Sequence, residues 1–143
     1  MPDCLFCQIA AGKIPAHEIA GNERLLAFLD IGPIRPGHVL IVPRAHYDYF
    51  DDLPPALAAE IMALAQKIAK AQKVLFGVER VGLMFTGTDF AHAHAHVVPM
   101  VEKTDITSRR YVQEEEITFA PMPRAAPADL EKTAAQIKSA LAP

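Results

Sequence analysis

Three histidines alternate with alanines at positions 92, 94 and 96. In an extended strand, side chains two residues apart point to the same face of the sheet. A strand here would place the imidazoles of His92, His94 and His96 in one row, about 6–7 Å apart, with Ala93 and Ala95 behind them. Imidazole is a nucleophile, a proton carrier and a metal ligand near neutral pH. Burying three of them side by side without a function would be costly, so the row predicts a functional site.

A second group with chemical potential is the Cys-x-x-Cys formed by Cys4 and Cys7. Such a pair can be a redox couple, half of a zinc site or a chance occurrence. A thioredoxin-like pair follows a strand, yet only three residues precede Cys4. The sequence has no third cysteine, so a tetrahedral zinc shell would need histidines as its remaining ligands. A structural disulfide is disfavoured in a reducing compartment, and the metal, redox and chance interpretations stay open.

The elements that position these residues follow from periodicity and turn residues. We predict a short helix or turn around residues 4–11 and strands at 24–30, 38–42, 81–86 and through the histidines. A long amphipathic helix is predicted over 54–76, capped by Asp51 or Asp52 and ended by Gly77. A C-terminal helical tail is predicted at about 127–142, and the acidic run at 114–116 is predicted to be a solvated loop. The whole chain, residues 1–143, is expected to form one domain.

Composition limits the class of protein. The 143 residues are 51% hydrophobic and 22% charged, as in soluble globular proteins, and the formal charge is -3. That charge argues against a dedicated partner among nucleic-acid polymers, which require a basic surface. The sequence predicts neither a membrane span nor a signal peptide, so we expect no membrane partner and a cytoplasmic location.

Taken together, these motifs resemble the histidine triad (HIT) family of nucleotide hydrolases and transferases. The family signature, His-x-His-x-His followed by apolar residues, is matched by residues 92–98. Upstream matches are residues 4–9 with 12–15, residues 27–31 and residues 36–46. The resemblance therefore covers roughly residues 4–100.

The resemblance implies an α+β fold with an antiparallel sheet of about five strands and two main helices, commonly dimerised by joining two sheets edge to edge. It implies a hydrolase or transferase for phosphoric anhydrides or phosphoramidates, such as dinucleoside polyphosphates or nucleoside phosphoramidates. His94 would attack the α-phosphate and form a nucleotidyl-histidine intermediate, with His96 at the phosphate or the leaving group. The implied partner is a purine nucleotide or nucleotide conjugate.

The resemblance also assigns the binding residues. Asp30 would accept hydrogen bonds from the ribose hydroxyls, and His38 would stand behind the histidine row. The base pocket would consist of Leu5, Phe6, Ile9, Phe28 and Ile31. Backbone amides near Gly87, Thr88 and Asp89 would meet the phosphate. A structural zinc ion would be held by Cys4, Cys7, His46 and His92.

The sequence departs from the family pattern just before the triad. Thr88 stands where many members carry an amide side chain, and Asp89 stands where several carry a hydroxyl that assists the leaving group. An ionised carboxylate beside a phosphate is unfavourable unless it is paired, protonated or turned away. Thr88 and Asp89 therefore motivate one alternative, a nucleotide-binding module with little turnover. A separate alternative is a zinc enzyme that uses the histidine row as a catalytic metal site.

Overall fold

Five strands form one antiparallel sheet in the computed structural model, which describes residues 3–87, 89–102, 104–106 and 123–143. The strands are β1 (Glu18–Gly21), β2 (Leu25–Leu29), β3 (Val39–Pro43), β4 (Arg80–Phe85) and β5 (Ala95–Met100). Their order across the sheet is β1-β2-β3-β5-β4. The α-helices are α1 (Leu5–Ala10), α2 (Pro55–Phe76) and α3 (Pro127–Leu141), and a short 3-10 helix spans Phe50–Asp52. The predicted α+β class is confirmed. The acidic run at 114–116, predicted to be a solvated loop, lies outside the described residues.

Both faces of the central strands are covered. Every residue of β2 and β3 is buried, although an antiparallel sheet often leaves one face to solvent. One face contributes Val39, Ile41 and Val97 to a core shared with α2 and α3. The opposite face carries Phe28 and Leu40, which pack with α1. The sheet therefore separates a large helical core from a smaller layer beneath the N-terminal helix.

The long helix confirms one predicted boundary signal and contradicts the other. Gly77 ends α2 in a left-handed conformation with φ of 62°, as expected of a helix C-terminus. The predicted aspartate cap is wrong, because α2 begins with Pro54 at the cap position and Pro55 in the first turn. Proline suits the first turn because an N–H there would have no partner within the helix, and because its fixed φ is already helical. Asp52 instead accepts a hydrogen bond from the Tyr49 backbone N–H at 3.2 Å.

The histidine segment is only partly a strand, which corrects the prediction. β5 begins at Ala95, so His92 and His94 precede it and only His96 lies within it. Pairing of β5 with β3 ends at Ile41 opposite Ala95. The preceding chain bonds to a loop, because the Ala93 N–H donates to the Tyr47 carbonyl at 2.7 Å.

The alternation nevertheless survives in this segment. Ala93, Ala95 and Val97 are all buried in the core with α2, on the reverse side from the histidines. The imidazoles of His94 and His96 are neighbours, with ring centroids 5.0 Å apart instead of the expected 6–7 Å.

The C-terminal helix closes the helical face of the sheet. Leu130, Ala134 and Ile137 of α3 are buried, a spacing of four and three residues that makes one apolar stripe. Just before α3, the Ala125 N–H donates to the Ile31 carbonyl at 2.8 Å. This bond fixes the entry to α3 beside the end of β2. Within the described residues, no helix is long and apolar enough to cross a bilayer.

Candidate functional site

A cleft of about 380 Å³ is lined by residues of α1, β2, β3 and β5. It contains all of the predicted base-pocket residues, Leu5, Phe6, Ile9, Phe28 and Ile31. Asp30, Asp89, His94 and His96 line the same cleft. The apolar residues and the candidate catalytic histidines thus share one cavity. Gly87 is not among its lining residues, and Thr88 lies outside the described part of the chain.

A hydrogen bond fixes the orientation of the buried His94 ring. Its Nδ1 lies 2.7 Å from the carbonyl oxygen of His92, which can only accept, so Nδ1 carries the proton. In the neutral ring the lone pair is then on Nε2. Phe6 of α1 packs against this imidazole at a centroid distance of 5.0 Å. His94 therefore has the tautomer that a nucleophile at Nε2 needs.

A chain of hydrogen bonds gives His96 the complementary role. The Ile34 N–H donates to His38 Nδ1 at 3.1 Å, so the neutral His38 carries its proton on Nε2. His38 Nε2 lies 2.9 Å from His96 Nδ1 and donates to it. The neutral His96 then carries its proton on Nε2, and this buried nitrogen has no partner among the described residues. It is an unsatisfied donor in the wall of the cleft.

Burial keeps these two rings neutral. Burial, aided by the nearby His38 and His94, lowers the pKa of His96 from 6.5 to about 4. Burial also lowers the pKa of His38, although the charge of Asp30 opposes the shift. His96 therefore offers a polarised N–H and no net charge near neutral pH.

Asp30 stands at the end of β2 between the cleft and His38. One carboxylate oxygen accepts from the Gly32 N–H at 2.8 Å, which stabilises the turn after the strand. The other lies 3.8 Å from His38 Nε2. Asp30 therefore both stabilises the turn after β2 and lines the cleft as a polar group.

A second cluster unites the cysteines with two histidines. Ligand atoms of Cys4, Cys7, His46 and His92 all lie within 4.8 Å of one another. Cys4 Sγ is 3.3 Å from His92 Nδ1, and Cys7 Sγ is 3.3 Å from His46 Nδ1. Donors around a tetrahedral Zn²⁺ with ordinary Zn–S and Zn–N bonds are about 3.6 Å apart. The cluster is therefore of a size that fits one zinc ion.

Hydrogen bonds behind this cluster aim the nitrogens at the sulfurs. His92 Nε2 donates to the Pro43 carbonyl at 2.9 Å, and His46 Nε2 donates to the Asp48 carboxylate at 2.8 Å. Each ring then presents an Nδ1 lone pair toward the cysteines. Carboxylates and backbone carbonyls orient metal-bound histidines in the same way. Burial and the adjacent Cys4 raise the pKa of the Cys7 thiol, which disfavours the thiolate. A bound cation would stabilise the thiolate and offset this effect.

Comparisons with known proteins identify the family of this chain. A family model described as HIT domain matches residues 11–103. The chain belongs to the HIT family. An adenosine 5'-monophosphoramidase of Schizosaccharomyces pombe is 35% identical over 101 residues, which cover 67% of this HIT chain and 73% of the yeast protein.

Solved HIT structures share the whole fold. A HIT-like protein of Bartonella henselae is 25% identical, with a TM-score of 0.78 over 98% of this chain and 97% of that one. A zinc-bound histidine triad protein of Mycobacterium smegmatis is 28% identical, with a TM-score of 0.75 over 98% of this chain and 94% of its own.

Seven residues that line the cleft escaped the sequence interpretation of this HIT protein: Phe90, Arg124, Ile14, Pro15, Ala16, Leu29 and Leu40. Phe90 packs on Phe6 with ring centroids 5.3 Å apart. It is two residues before His92, so extending the alternation by one step would have found it. Arg124 also lines the cleft. No local sequence signal identifies it, because its position depends on the docking of the distant segment before α3.

Proposed function

We propose that this chain is a nucleotide hydrolase or transferase that reacts at the α-phosphate of a nucleotide through His94. The observation that carries the proposal is that a free imidazole lone pair and a free N–H donor lie in the same cleft. His94 has its Nδ1 tied to the backbone, and the adjacent His96 holds an unpartnered Nε2–H in the same cleft. The phosphoramidase activity named for the yeast relative supports the substrate class.

The proposed reaction has two displacements at phosphorus. The Nε2 lone pair of His94 attacks the α-phosphorus, and the bond to the leaving group breaks with its electron pair going to that group. His96 Nε2–H donates to the leaving atom or to a phosphoryl oxygen. Water then attacks the phosphorus of the nucleotidyl-histidine, its proton passes to solvent, and the Nε2–P bond breaks with its electron pair returning to Nε2. Splitting the displacement in this way replaces one difficult step with two easier ones.

Binding in this proposal relies on the apolar part of the cleft. The base would lie among Phe6, Phe28 and Ile31, and Asp30 would accept from the ribose hydroxyls. Stacking of a base on an aromatic side chain contributes about 1–3 kcal/mol. Phe90 would add a second aromatic surface, since it is exposed and packs beside Phe6.

The four-ligand cluster is proposed to hold a structural zinc ion. Cys4, Cys7, His46 and His92 would complete a tetrahedral shell, leaving no coordination position for substrate. His92 uses its Nδ1 in this shell, so its ring would not join His94 in a catalytic metal site. Zinc bound here would supply cohesion between α1 and the histidine segment, and the proposed displacements do not pass through it.

Two further properties stay predictions. A homodimer formed by joining sheets is supported by the position of β4 at the sheet edge and by the exposure of Leu83 on β4 and Met62 on α2. A cytoplasmic location is the expectation from the sequence alone.

The test is turnover of adenosine 5'-phosphoramidate and of diadenosine polyphosphates, with quenching in an alkaline denaturant to trap a nucleotidylated chain. We expect the wild-type protein to release AMP and to form an adduct at His94. His94→Ala should lose at least about 1,000-fold in kcat, since a covalent nucleophile cannot be replaced by solvent at comparable rate. His17→Ala is the matched control, because His17 lies outside the cleft. Full activity in His94→Ala would refute the mechanism.

The same experiment distinguishes the alternative that Asp89 motivates. The Asp89 side chain lines the cleft, where its negative charge opposes a substrate phosphate. Tight AMP binding by calorimetry with negligible turnover would identify a nucleotide-binding module. Recovery of turnover in Asp89→Ser would assign the loss to this carboxylate.

A further inference from the structure

The cleft contains an imbalance of charge for a site that would hold phosphates. Its acidic and basic lining residues other than histidine, in the described chain, are Asp30, Asp89 and Arg124. His96 contributes a neutral donor at pH 7, because burial and nearby histidines lower its pKa to about 4. Arg124 is therefore the fixed positive charge among the described residues of this cavity.

The path of the backbone places Arg124 beside the end of β2. The next residue, Ala125, donates its N–H to the carbonyl of Ile31 at 2.8 Å and packs against the main core. Two residues later α3 begins, anchored by Leu130 and Ile137. Arg124 thus enters the cleft from the side of Asp30 and Ile31, on a segment tied to the sheet and to a packed helix.

The Arg124 guanidinium differs from other arginines of the described chain in its partners. Arg24 pairs with Glu60, Arg35 forms a bidentate pair with Asp105, and Arg44 donates to backbone carbonyls. Among the residues that the structure describes, Arg124 makes no such ion pair or side-chain hydrogen bond. An arginine without an internal partner in an anion-binding cavity can form paired hydrogen bonds to a phosphate.

We propose that Arg124 forms a subsite for a second phosphate group of the substrate, separate from the α-phosphate that reacts at His94. This inference rests on the proposed function and refines its substrate class to nucleotides with an additional anionic group. The extra phosphate can belong to the ribose or to a polyphosphate chain. The position of Arg124 on the Asp30 side of the cleft favours the 3' oxygen of the ribose. Asp30 then accepts from the remaining 2'-hydroxyl, and the guanidinium offsets the repulsion between the Asp30 carboxylate and the added phosphate.

The test compares the binding of three nucleotides by calorimetry, so that it does not depend on turnover. AMP carries one phosphate, adenosine 3',5'-bisphosphate adds one on the ribose, and ATP adds two on the 5' chain. We expect Arg124→Gln to weaken the bisphosphate about tenfold and AMP by less than about twofold, because only the former reaches the subsite. Loss for ATP alone would locate the extra phosphate on the chain side.

Two variants separate a specific contact from general electrostatics. Lys132→Gln removes a positive charge from α3 beside a different cavity, and it should leave all three affinities within about twofold. Arg124→Lys keeps the charge without the planar fork, and it should retain part of the discrimination. Equal loss for AMP and the bisphosphate in Arg124→Gln, or no loss for any ligand, would overturn the subsite. If the wild-type protein bound none of the three nucleotides, the proposed function itself would fail.

Discussion

The three histidines of the row differ in which ring nitrogen is hydrogen-bonded to the protein, and this difference gives each a different role. His92 donates from Nε2 to a carbonyl and presents Nδ1 to the cysteines, whereas His94 donates from Nδ1 and leaves Nε2 for the cleft. His96 accepts at Nδ1 from His38, which leaves an N–H on its Nε2. The sequence predicts the cluster, but it does not predict these assignments. They depend on carbonyls of Pro43 and His92 whose positions only the folded backbone determines.

The lowered pKa of His96 predicts a loss of stability in mild acid. Above about pH 6.5 the ring is neutral in both folded and unfolded chains. As the pH falls, the unfolded chain binds a proton that folded His96 does not accept until about pH 4, so the free energy of unfolding decreases across that window. His38 contributes in the same direction, because burial lowers its pKa as well.

Urea denaturation between about pH 7 and pH 5 at constant ionic strength measures this effect. We expect the midpoint of wild-type unfolding to fall with pH and His96→Asn to show a shallower fall. Both proteins keep the cysteine–histidine cluster, so its own titration cancels in the comparison. Parallel slopes for the two proteins would contradict a buried neutral His96.

At the scale of elements, long periodic segments were predictable and short or context-dependent ones were not. The apolar stripe of α2 predicted its end at Gly77, because a period repeated over many residues leaves little ambiguity. β1 was missed, since it has four residues and buries only Ile19. The prediction that the strand begins at His92 was wrong, since β5 begins at Ala95. Whether an alternating segment pairs with a neighbouring strand depends on that neighbour and not on the alternation alone.

A polar residue in the apolar face of α2 also depends on this context. Gln72 is fully buried, and its side-chain amide donates to the Gly37 carbonyl at 2.8 Å and the Val97 carbonyl at 2.9 Å. These carbonyls adjoin His38 and His96 in sequence. One side chain of the helix therefore links the turn before β3 to β5, close to the His38–His96 hydrogen bond.

Gln72→Leu should lower both stability and turnover. The buried carbonyls lose their donor, which costs about 2 kcal/mol. The relative position of His38 and His96 also becomes less fixed, so we expect kcat to fall severalfold with little change in KM. Denaturation midpoints and steady-state kinetics measure the two effects. Ile68→Val, one turn earlier and equally buried, is the control and should cost about 1 kcal/mol without changing kcat. A proportionate loss of kcat in that control would show that Gln72 acts only through stability.

At the scale of the whole molecule, the cysteine–histidine cluster joins parts of the chain that are distant in sequence. Cys4 and Cys7 bring the N-terminal helix to His46, in the loop after β3, and to His92, before β5. Phe6 of the same helix contacts both His92 and His94, with ring centroids at 5.7 and 5.0 Å. The cluster thus holds one wall of the cleft against the candidate nucleophile. The family resemblance predicted this four-residue set, which the Cys-x-x-Cys spacing alone did not distinguish from a redox pair.

Zinc removal should therefore weaken the cleft as well as the fold. We expect about one zinc per chain by elemental analysis of reduced protein, and we expect Cys4→Ser to release it and lower the melting temperature. Asp48→Ala removes only the carboxylate behind His46, so it should weaken zinc binding about 10–100-fold and leave the fully loaded protein near wild-type stability.

Nucleotide affinity should fall in zinc-depleted protein and return on reloading, because α1 supplies Leu5, Phe6 and Ile9 to the cavity. Absence of zinc from protein purified without chelators, or an unchanged nucleotide affinity after its verified removal, would show that the N-terminal helix is held by packing alone.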